Sequence, residues 1–188
     1  MMNLCSHRKS LVDAPTLILN NIHPVRKLKI RLFSNFLTIG LNDVFWDYQD
    51  IDILILDDLK LMRDHSEEIN KIRCMKICLS NKHDIKNSIY ANPKRSKGVV
   101  SCDEKHIYED DIQSTSIQIA MLLGCSPVFV ANFNNISKRY SLINRKIFNN
   151  RLFSITSDSN LKHVDQFSIC AKYNDKCPNK MDLMKRLV

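Results

Sequence analysis

The stretch Phe36–Asp58, FLTIGLNDVFWDYQDIDILILDD, decides the fold expected of this chain. It contains two apolar runs, Phe36–Gly40 and Ile51–Leu56, and each run leads into amide or acidic residues. A short helical piece rich in aromatic residues, Val44–Tyr48, joins the two runs. Apolar runs of this length with such a connection predict parallel strands of an α/β sheet. Polar residues just past the carboxyl ends of parallel strands line the ligand crevice, and here they are Asn42, Asp57 and Asp58.

The length and composition of the chain limit the classes of protein to which it can belong. The chain has 188 residues, 44% of them hydrophobic, which predicts one soluble domain with a substantial core. No apolar run approaches the roughly 18 residues of a membrane span, and the first residues lack the apolar centre of a secretory signal. Seven scattered cysteines predict reduced residues of a cytoplasmic protein. Cys74, Cys78 and His83 lack the spacing of a zinc site, so no metal is expected.

The charge is more informative than the composition. A formal net charge of +8 and basic clusters such as Arg26–Arg31 and Lys71–Lys76 would attract phosphates of nucleotides, nucleic acid or anionic lipid, or an acidic protein. The alternative is a basic surface that serves solubility alone. The chain has only three glycines, so a glycine-rich phosphate loop is excluded.

Similar sequence patterns predict further strands and helices along the chain. Further strands are predicted at residues 15–19, 75–79, 127–131 and 152–155, and helices at 59–73, 112–123 and 140–150. Residues 28–32 suit a strand or a surface helix equally well. A long polar loop with a short strand at Val99–Val100 is predicted for residues 81–111.

These elements predict a doubly wound α/β fold, with a mostly parallel sheet and helices on both faces. The predicted domain spans residues 15–161. A flexible segment, 1–14, precedes it, and an appended segment with a short terminal helix, 162–188, follows it and packs on it.

Four segments in this order resemble a Rossmann-like group. The group comprises the bacterial sialyltransferases that use CMP-sialic acid (glycosyltransferase family 42) and the related motility-accessory-factor and hydroxymethylpterin-pyrophosphokinase-like proteins. Thr16–Pro24 is similar to its first strand and loop, and Phe36–Asp58 is similar to its second and third strands. Gln113–Asn132 is similar to its Thr-Ser-Gly helix with the following strand, and Leu152–Leu161 is similar to its last strand and Ser-Pro-Asn-Ser turn.

The resemblance implies a nucleotide that lies across the strand ends, with a CMP-sugar or another nucleotide-sugar as donor and no tightly bound cofactor. It also implies that the base, ribose or phosphates of this nucleotide are contacted by residues whose alternative role is to cap helices and strand ends. These residues are Asn21, Asn42, Ser114, Thr115, Ser116, Thr156, Ser157 and Ser159.

The chain also departs from this group. Asn20 and Ile22 or His23 stand where its first loop has glycines, Ser116 replaces the helix glycine, and no histidine lies between His106 and His163 to match its catalytic histidine. The catalytic base is therefore not carried over. Candidates from this sequence are Asp57, Asp58, His83 and His106, while Lys94, Arg95 and Lys97 could contact phosphate.

Three functions are consistent with these observations. The first is a glycosyltransferase-like protein that binds a nucleotide or nucleotide-sugar at the strand carboxyl ends. The second is a catalytically inactive protein of the same fold that binds a protein or nucleic-acid partner through its basic surface. The third, a nucleic-acid-binding module, rests on charge alone, because no stacking platform of aromatic residues accompanies the basic runs. Whether the protein is an enzyme stays open at this point.

Overall fold

The structure is a computed structural model. It describes residues 4–7, 9–20, 30–80, 85–91, 94–95, 108–109, 111–131, 151–155, 169, 172–173 and 179–186.

A sheet of seven strands forms the centre of the described structure, and every neighbouring pair in it is parallel. The strand order is β5-β4-β3-β2-β1-β8-β9, and β6 pairs with β7 in a separate parallel ribbon. The strands are β1 Thr16–Leu19, β2 Leu37–Leu41, β3 Ile53–Leu56, β4 Met75–Cys78, β5 Ser88–Tyr90, β6 Lys94–Arg95, β7 Tyr108–Glu109, β8 Val128–Ala131 and β9 Leu152–Ser154. The predicted parallel α/β sheet is confirmed.

Within the described ranges, the helices are short apart from one. The α-helices there are α1 Leu59–Asp64, α2 Ser66–Lys71, α3 Ile112–Leu123 and α4 Lys180–Lys185, and 3₁₀ helices cover Leu4–His7, Ile30–Phe33 and Asn42–Trp46. None of the helices in the described ranges is long and apolar enough to cross a lipid bilayer.

Helices cover both faces of the sheet, and the strands show why. In β3, Ile53 and Ile55 point into one apolar cluster while Leu54 and Leu56 point into the other. The first cluster contains the apolar side of α3, and the second contains Met62 of α1 and Ile69 of α2. Since both faces are covered, all residues of β1, β2, β3 and β8 are buried. Continuous apolar runs are the sequence pattern of such strands.

The helix predicted for residues 59–73 is divided and ends earlier. His65 leaves helical geometry (φ −127°, ψ 27°) between α1 and α2, and α2 ends at Lys71. At this junction the His65 ring packs edge-on against Trp46, with 5.2 Å between the ring centroids. The spacing of apolar residues predicted one face correctly, because Met62 and Ile69 are both buried.

Two other predictions differ from the structure. Ile30–Phe33 forms a 3₁₀ turn, so a strand that extends through residues 30–32 is wrong. The loop predicted for residues 81–111 contains β5, an edge strand with a single fully buried residue, Ile89. A strand so short leaves no apolar run to recognise. The Val99–Val100 strand and the helix at 140–150 lie outside the described residues.

Both ends of the chain contact the sheet layers. Leu11 N donates to Leu123 O (2.8 Å) at the end of α3, and Leu4 and Leu11 are buried in the first cluster. These contacts place part of segment 1–14, which was expected to be flexible, in the core. The predicted short terminal helix is present as α4, and its Leu183 is buried in the same cluster.

Candidate functional site

The strand order defines where a ligand crevice is expected. The chain passes from β1 to β2, β3, β4 and β5 on one side, then crosses to β8 and β9 on the other side of β1. The topological switch point therefore lies between β1 and β8. Asn20, the residue after β1, joins the two strand ends because its N–H donates to Ala131 O (3.3 Å). In doubly wound sheets the crevice outside the carboxyl ends at this point is the usual ligand site.

Asn42, Asp57 and Asp58 meet at the carboxyl ends of β2 and β3. Asn42 Nδ2 donates to Asp57 Oδ1 (2.7 Å), while Asn42 Oδ1 accepts from Asp57 N (3.0 Å) and Asp58 N (3.3 Å). The sequence predicts that these residues lie at one edge of the sheet, and the structure brings them together. The amide of Asn42 thus ties the ends of two neighbouring strands and orients the Asp57 carboxylate.

The two aspartates differ in what their carboxylates do. Asp58 is the N-cap of α1, and its Oδ1 accepts from Lys60 N (2.9 Å) and Leu61 N (3.0 Å). This is the ordinary capping geometry of an aspartate. Asp57 is half-buried and is held by Asn42. Asp57 is therefore the better base candidate of the pair.

The first turn of α3 lies at the same edge of the sheet. The short link Gly124–Pro127 joins the end of α3 to the start of β8, so α3 runs against the strands and begins at their carboxyl ends. Asp111 caps α3, with Oδ1 accepting from Ser114 N and Oδ2 from Ser114 Oγ, each at 2.8 Å. Ser116 Oγ donates to Gln113 O (2.7 Å).

Thr115 differs from its two serine neighbours. Its side chain is fully buried, and its hydroxyl has no hydrogen-bond partner among the described residues. A buried hydroxyl without a partner is unfavourable by about 1–3 kcal/mol. Ser114 and Ser116 therefore have local structural roles, whereas Thr115 leaves a polar group unsatisfied.

The remaining predicted site residues lie either in the small ribbon or outside the described part of the chain. Lys94 and Arg95 form β6, which pairs with β7. The residues outside the described ranges are Asn21, His83, Lys97, His106, Thr156, Ser157 and Ser159.

The opposite, amino edge of the sheet carries a cluster that the sequence pattern does not indicate. Asp52, just before β3, accepts from Thr38 N (2.8 Å) and pairs with Lys180 Nζ of α4 (2.8 Å) through Oδ2. Burial raises the pKa of Asp52 above its ordinary value, although Lys180 and the Thr38 amide act in the opposite direction. This ion pair fixes α4 to the amino edge.

A large cleft opens beside this ion pair. It has a volume of about 1370 Å³ and lies among the segments that lead into β3, β4 and β5 and the helix α4; we call it the amino-edge cleft. Lys76 of β4 lines it and is only 3% exposed. One signal was visible in the sequence, since Lys76 is a lone charge inside the apolar run Met75–Leu79.

The described residues provide neither an activated cysteine nucleophile nor a metal-binding group. Burial raises the pKa of Cys74 to about 11 and that of Cys125 to about 12, and it also raises the pKa of Cys78. Thiols with such values are poor nucleophiles at neutral pH. No group of three or more His, Cys, Asp or Glu side chains within the described ranges is arranged to hold a metal ion.

Comparisons with protein-family models, with curated protein sequences and with solved structures each found no match to this chain. The resemblance to the sialyltransferase group therefore stays an expectation drawn from the sequence.

Proposed function

We propose that this protein binds a nucleotide or a nucleotide-sugar in the crevice outside the carboxyl ends of β1 and β8. The observation that carries the proposal is the strand order, which places the topological switch point between these two strands. Ligands of doubly wound sheets bind at such points because the connections on either side diverge and leave an open crevice.

The first turn of α3 supports this location. The N-terminal end of a helix carries partial positive charge and unpaired N–H groups, which favour a phosphate. Asp111 already occupies Ser114 N, so the part of the ligand nearest to this cap is better matched by a neutral ribose or base edge. The unsatisfied hydroxyl of Thr115, in the same turn, would gain a partner if such an edge reached it.

Glycosyl transfer is the reaction that this arrangement would support. In such a step an acceptor hydroxyl oxygen forms a bond to the anomeric carbon, the bond from that carbon to the phosphate oxygen breaks, and the nucleotide leaves with the electron pair. Asp57, oriented by Asn42, would take the proton of the hydroxyl. The net positive charge of the chain would favour association with the anionic donor.

A catalytically inactive binding protein is the second candidate. It is favoured by the carboxyl-edge hydrogen bonds, because Asn42 and Asp58 both serve to hold strand and helix ends together. In this case the same crevice binds a nucleotide or the basic surface binds a partner, and no bond is broken.

Release of free nucleotide from CMP-sialic acid and from UDP- and GDP-sugars distinguishes the two candidates. For the enzyme we expect donor consumption that falls at least about 100-fold in Asp57→Asn, since general-base catalysis contributes this much. Asp43→Asn is the matched control, because Asp43 is an exposed acid one residue past Asn42. Nucleotide binding without donor consumption by the unmodified protein would favour the binding protein. Equal loss in both variants would contradict the role of Asp57.

A further inference from the structure

The amino-edge cleft lies at the edge of the sheet opposite to the proposed nucleotide site. Asp52 precedes β3, Met75 begins β4 and Ser88 begins β5, and all three residues line it. Met181 and Met184 of α4 close one side. The cleft is therefore a feature separate from the crevice at the switch point.

Among the described residues, the charges that line this cleft are strongly unbalanced. Six of these lining side chains are cationic and one is a carboxylate, Asp52. Asp52 pairs with Lys180, and Lys185 pairs with Asp182 (3.1 Å). The remaining cations have no acidic partner among the described residues, and they are Lys71, Arg73, Lys76 and Lys86.

Lys76 is the most informative of these cations. It is buried, and within the described part of the chain its Nζ donates only to backbone carbonyls, Ile72 O at 2.8 Å and Cys74 O at 3.5 Å. An ammonium group has three donors, and a buried charge is costly unless an opposite charge accompanies it. An anion in the cleft would supply both the missing hydrogen-bond acceptor and the missing charge.

The other described residues of the lining are largely apolar. Ile72, Ile85, Ile89, Met181 and Met184 contribute to the wall, which therefore suits an apolar body better than a free inorganic ion. Methionine side chains adapt to ligands of different shape. We propose that the amino-edge cleft binds an amphiphilic organic anion, with its phosphate or carboxylate at Lys76 and Arg73 and its apolar body against these side chains.

The test uses octyl phosphate and octanoate, each below its micellar concentration, as probes of the full chain. Binding is followed by thermal melting and by calorimetric titration, with octanol and inorganic phosphate as comparison compounds. We expect saturable binding of at least one of the two amphiphilic anions, and much weaker binding of octanol and of inorganic phosphate.

Variants locate the site. Lys76→Met is expected to fold, because it replaces a buried charge by an apolar side chain of similar length, and to weaken probe binding at least about tenfold, as for a lost charge-assisted hydrogen bond. Arg73→Ala, at an exposed position, is expected to weaken binding without disturbing the fold. Lys60→Met is the matched control, because Lys60 is an exposed lysine on α1 outside the cleft.

Several results would overturn the proposal. They are no saturable binding of either probe, equal binding of octanol, equal binding of inorganic phosphate, or the same loss in Lys60→Met as in Lys76→Met. Because the probes contain no nucleotide and the variants lie at the amino edge, failure here leaves the nucleotide proposal untouched.

Discussion

At Asn42 the backbone adopts φ +45°, a left-handed conformation that most residues avoid. Its side chain compensates through hydrogen bonds to Asp57 and Asp58 at the end of β3. We expect Asn42→Ala to lower the free energy of unfolding by about 2 kcal/mol, since it loses these bonds and keeps an unfavourable φ. Urea denaturation measures the change.

Asn42→Gly is the control that separates the two causes. Glycine adopts a positive φ readily, so only the loss of hydrogen bonds remains and we expect about 1 kcal/mol. Equal destabilisation by both variants would show that the left-handed backbone contributes nothing at this position.

Asp52 gives a prediction about pH. Because burial raises its pKa above the ordinary value of 3.8, the folded protein binds more protons at this site than the unfolded chain. Its contribution to stability is therefore full below that value and is lost as the pH rises through the folded pKa. We expect the unfolding free energy of the unmodified protein to fall relative to that of Asp52→Asn as the pH rises from below 3.8 towards neutrality.

Asp64→Asn provides a control of opposite sign. The hydrogen bond from Arg63 lowers the pKa of Asp64, so its stabilisation is present at neutral pH and is lost on acidification. The same denaturant series measures both variants. A difference between Asp52→Asn and the unmodified protein that is constant with pH would contradict the raised pKa.

At the scale of elements, β2 approaches the segment before β3 at Gly40. A Cβ built on Gly40 would lie 2.7 Å from Ile51 Cδ1, which is too close for unmoved atoms. We expect Gly40→Ala to lower the free energy of unfolding by about 1–3 kcal/mol, as overpacking does. Thermal or urea unfolding measures this loss.

The double variant Gly40→Ala/Ile51→Val tests the cause. Valine lacks Cδ1, so we expect Ile51→Val to be destabilising alone but to recover part of the loss when residue 40 is alanine. A double-mutant cycle gives the coupling energy. Strictly additive effects would mean that Ile51 is not the residue that excludes a side chain at Gly40.

The elements differ in how well the sequence predicts them. Strands β2, β3 and β8 are covered on both faces, so each appears as a largely apolar run and was predicted within two residues. The edge strand β5 has one fully buried residue and left no such pattern. The break at His65, where the ring packs against Trp46, interrupts a helical periodicity that runs through it, so the pattern did not reveal it.

At the scale of the whole molecule, the two edges of the sheet also differ in how well the sequence predicts them. Asn42, Asp57 and Asp58 could be placed at the carboxyl edge because each follows a recognisable strand. The amino-edge cleft depends on a contact between Asp52 and Lys180, which lie far apart in the chain. Such contacts exist only in the folded molecule, so Lys76 and its neighbours could be seen as basic residues but not as a site.

Net charge also acts on the whole molecule and complicates any binding experiment. With a formal charge of +8, the protein will attract nucleotides non-specifically at low salt. Screening at physiological ionic strength weakens such attraction between exposed charges, while contacts within a crevice persist. Binding must therefore be compared at both salt concentrations.

The most direct test of the proposed function is thermal melting with CMP, CDP, UDP, GDP, AMP and CMP-sialic acid at low and physiological salt. A ligand at about 100 times its Kd adds about 2.7 kcal/mol to the free energy of unfolding, which gives a clear rise in Tm. We expect one nucleotide to raise the Tm of the protein at both salt concentrations. The rise is expected to be smaller in Thr115→Val than in the control Thr16→Val, which makes the same change at the amino end of β1. No stabilisation at physiological salt by any compound would contradict the proposed nucleotide site.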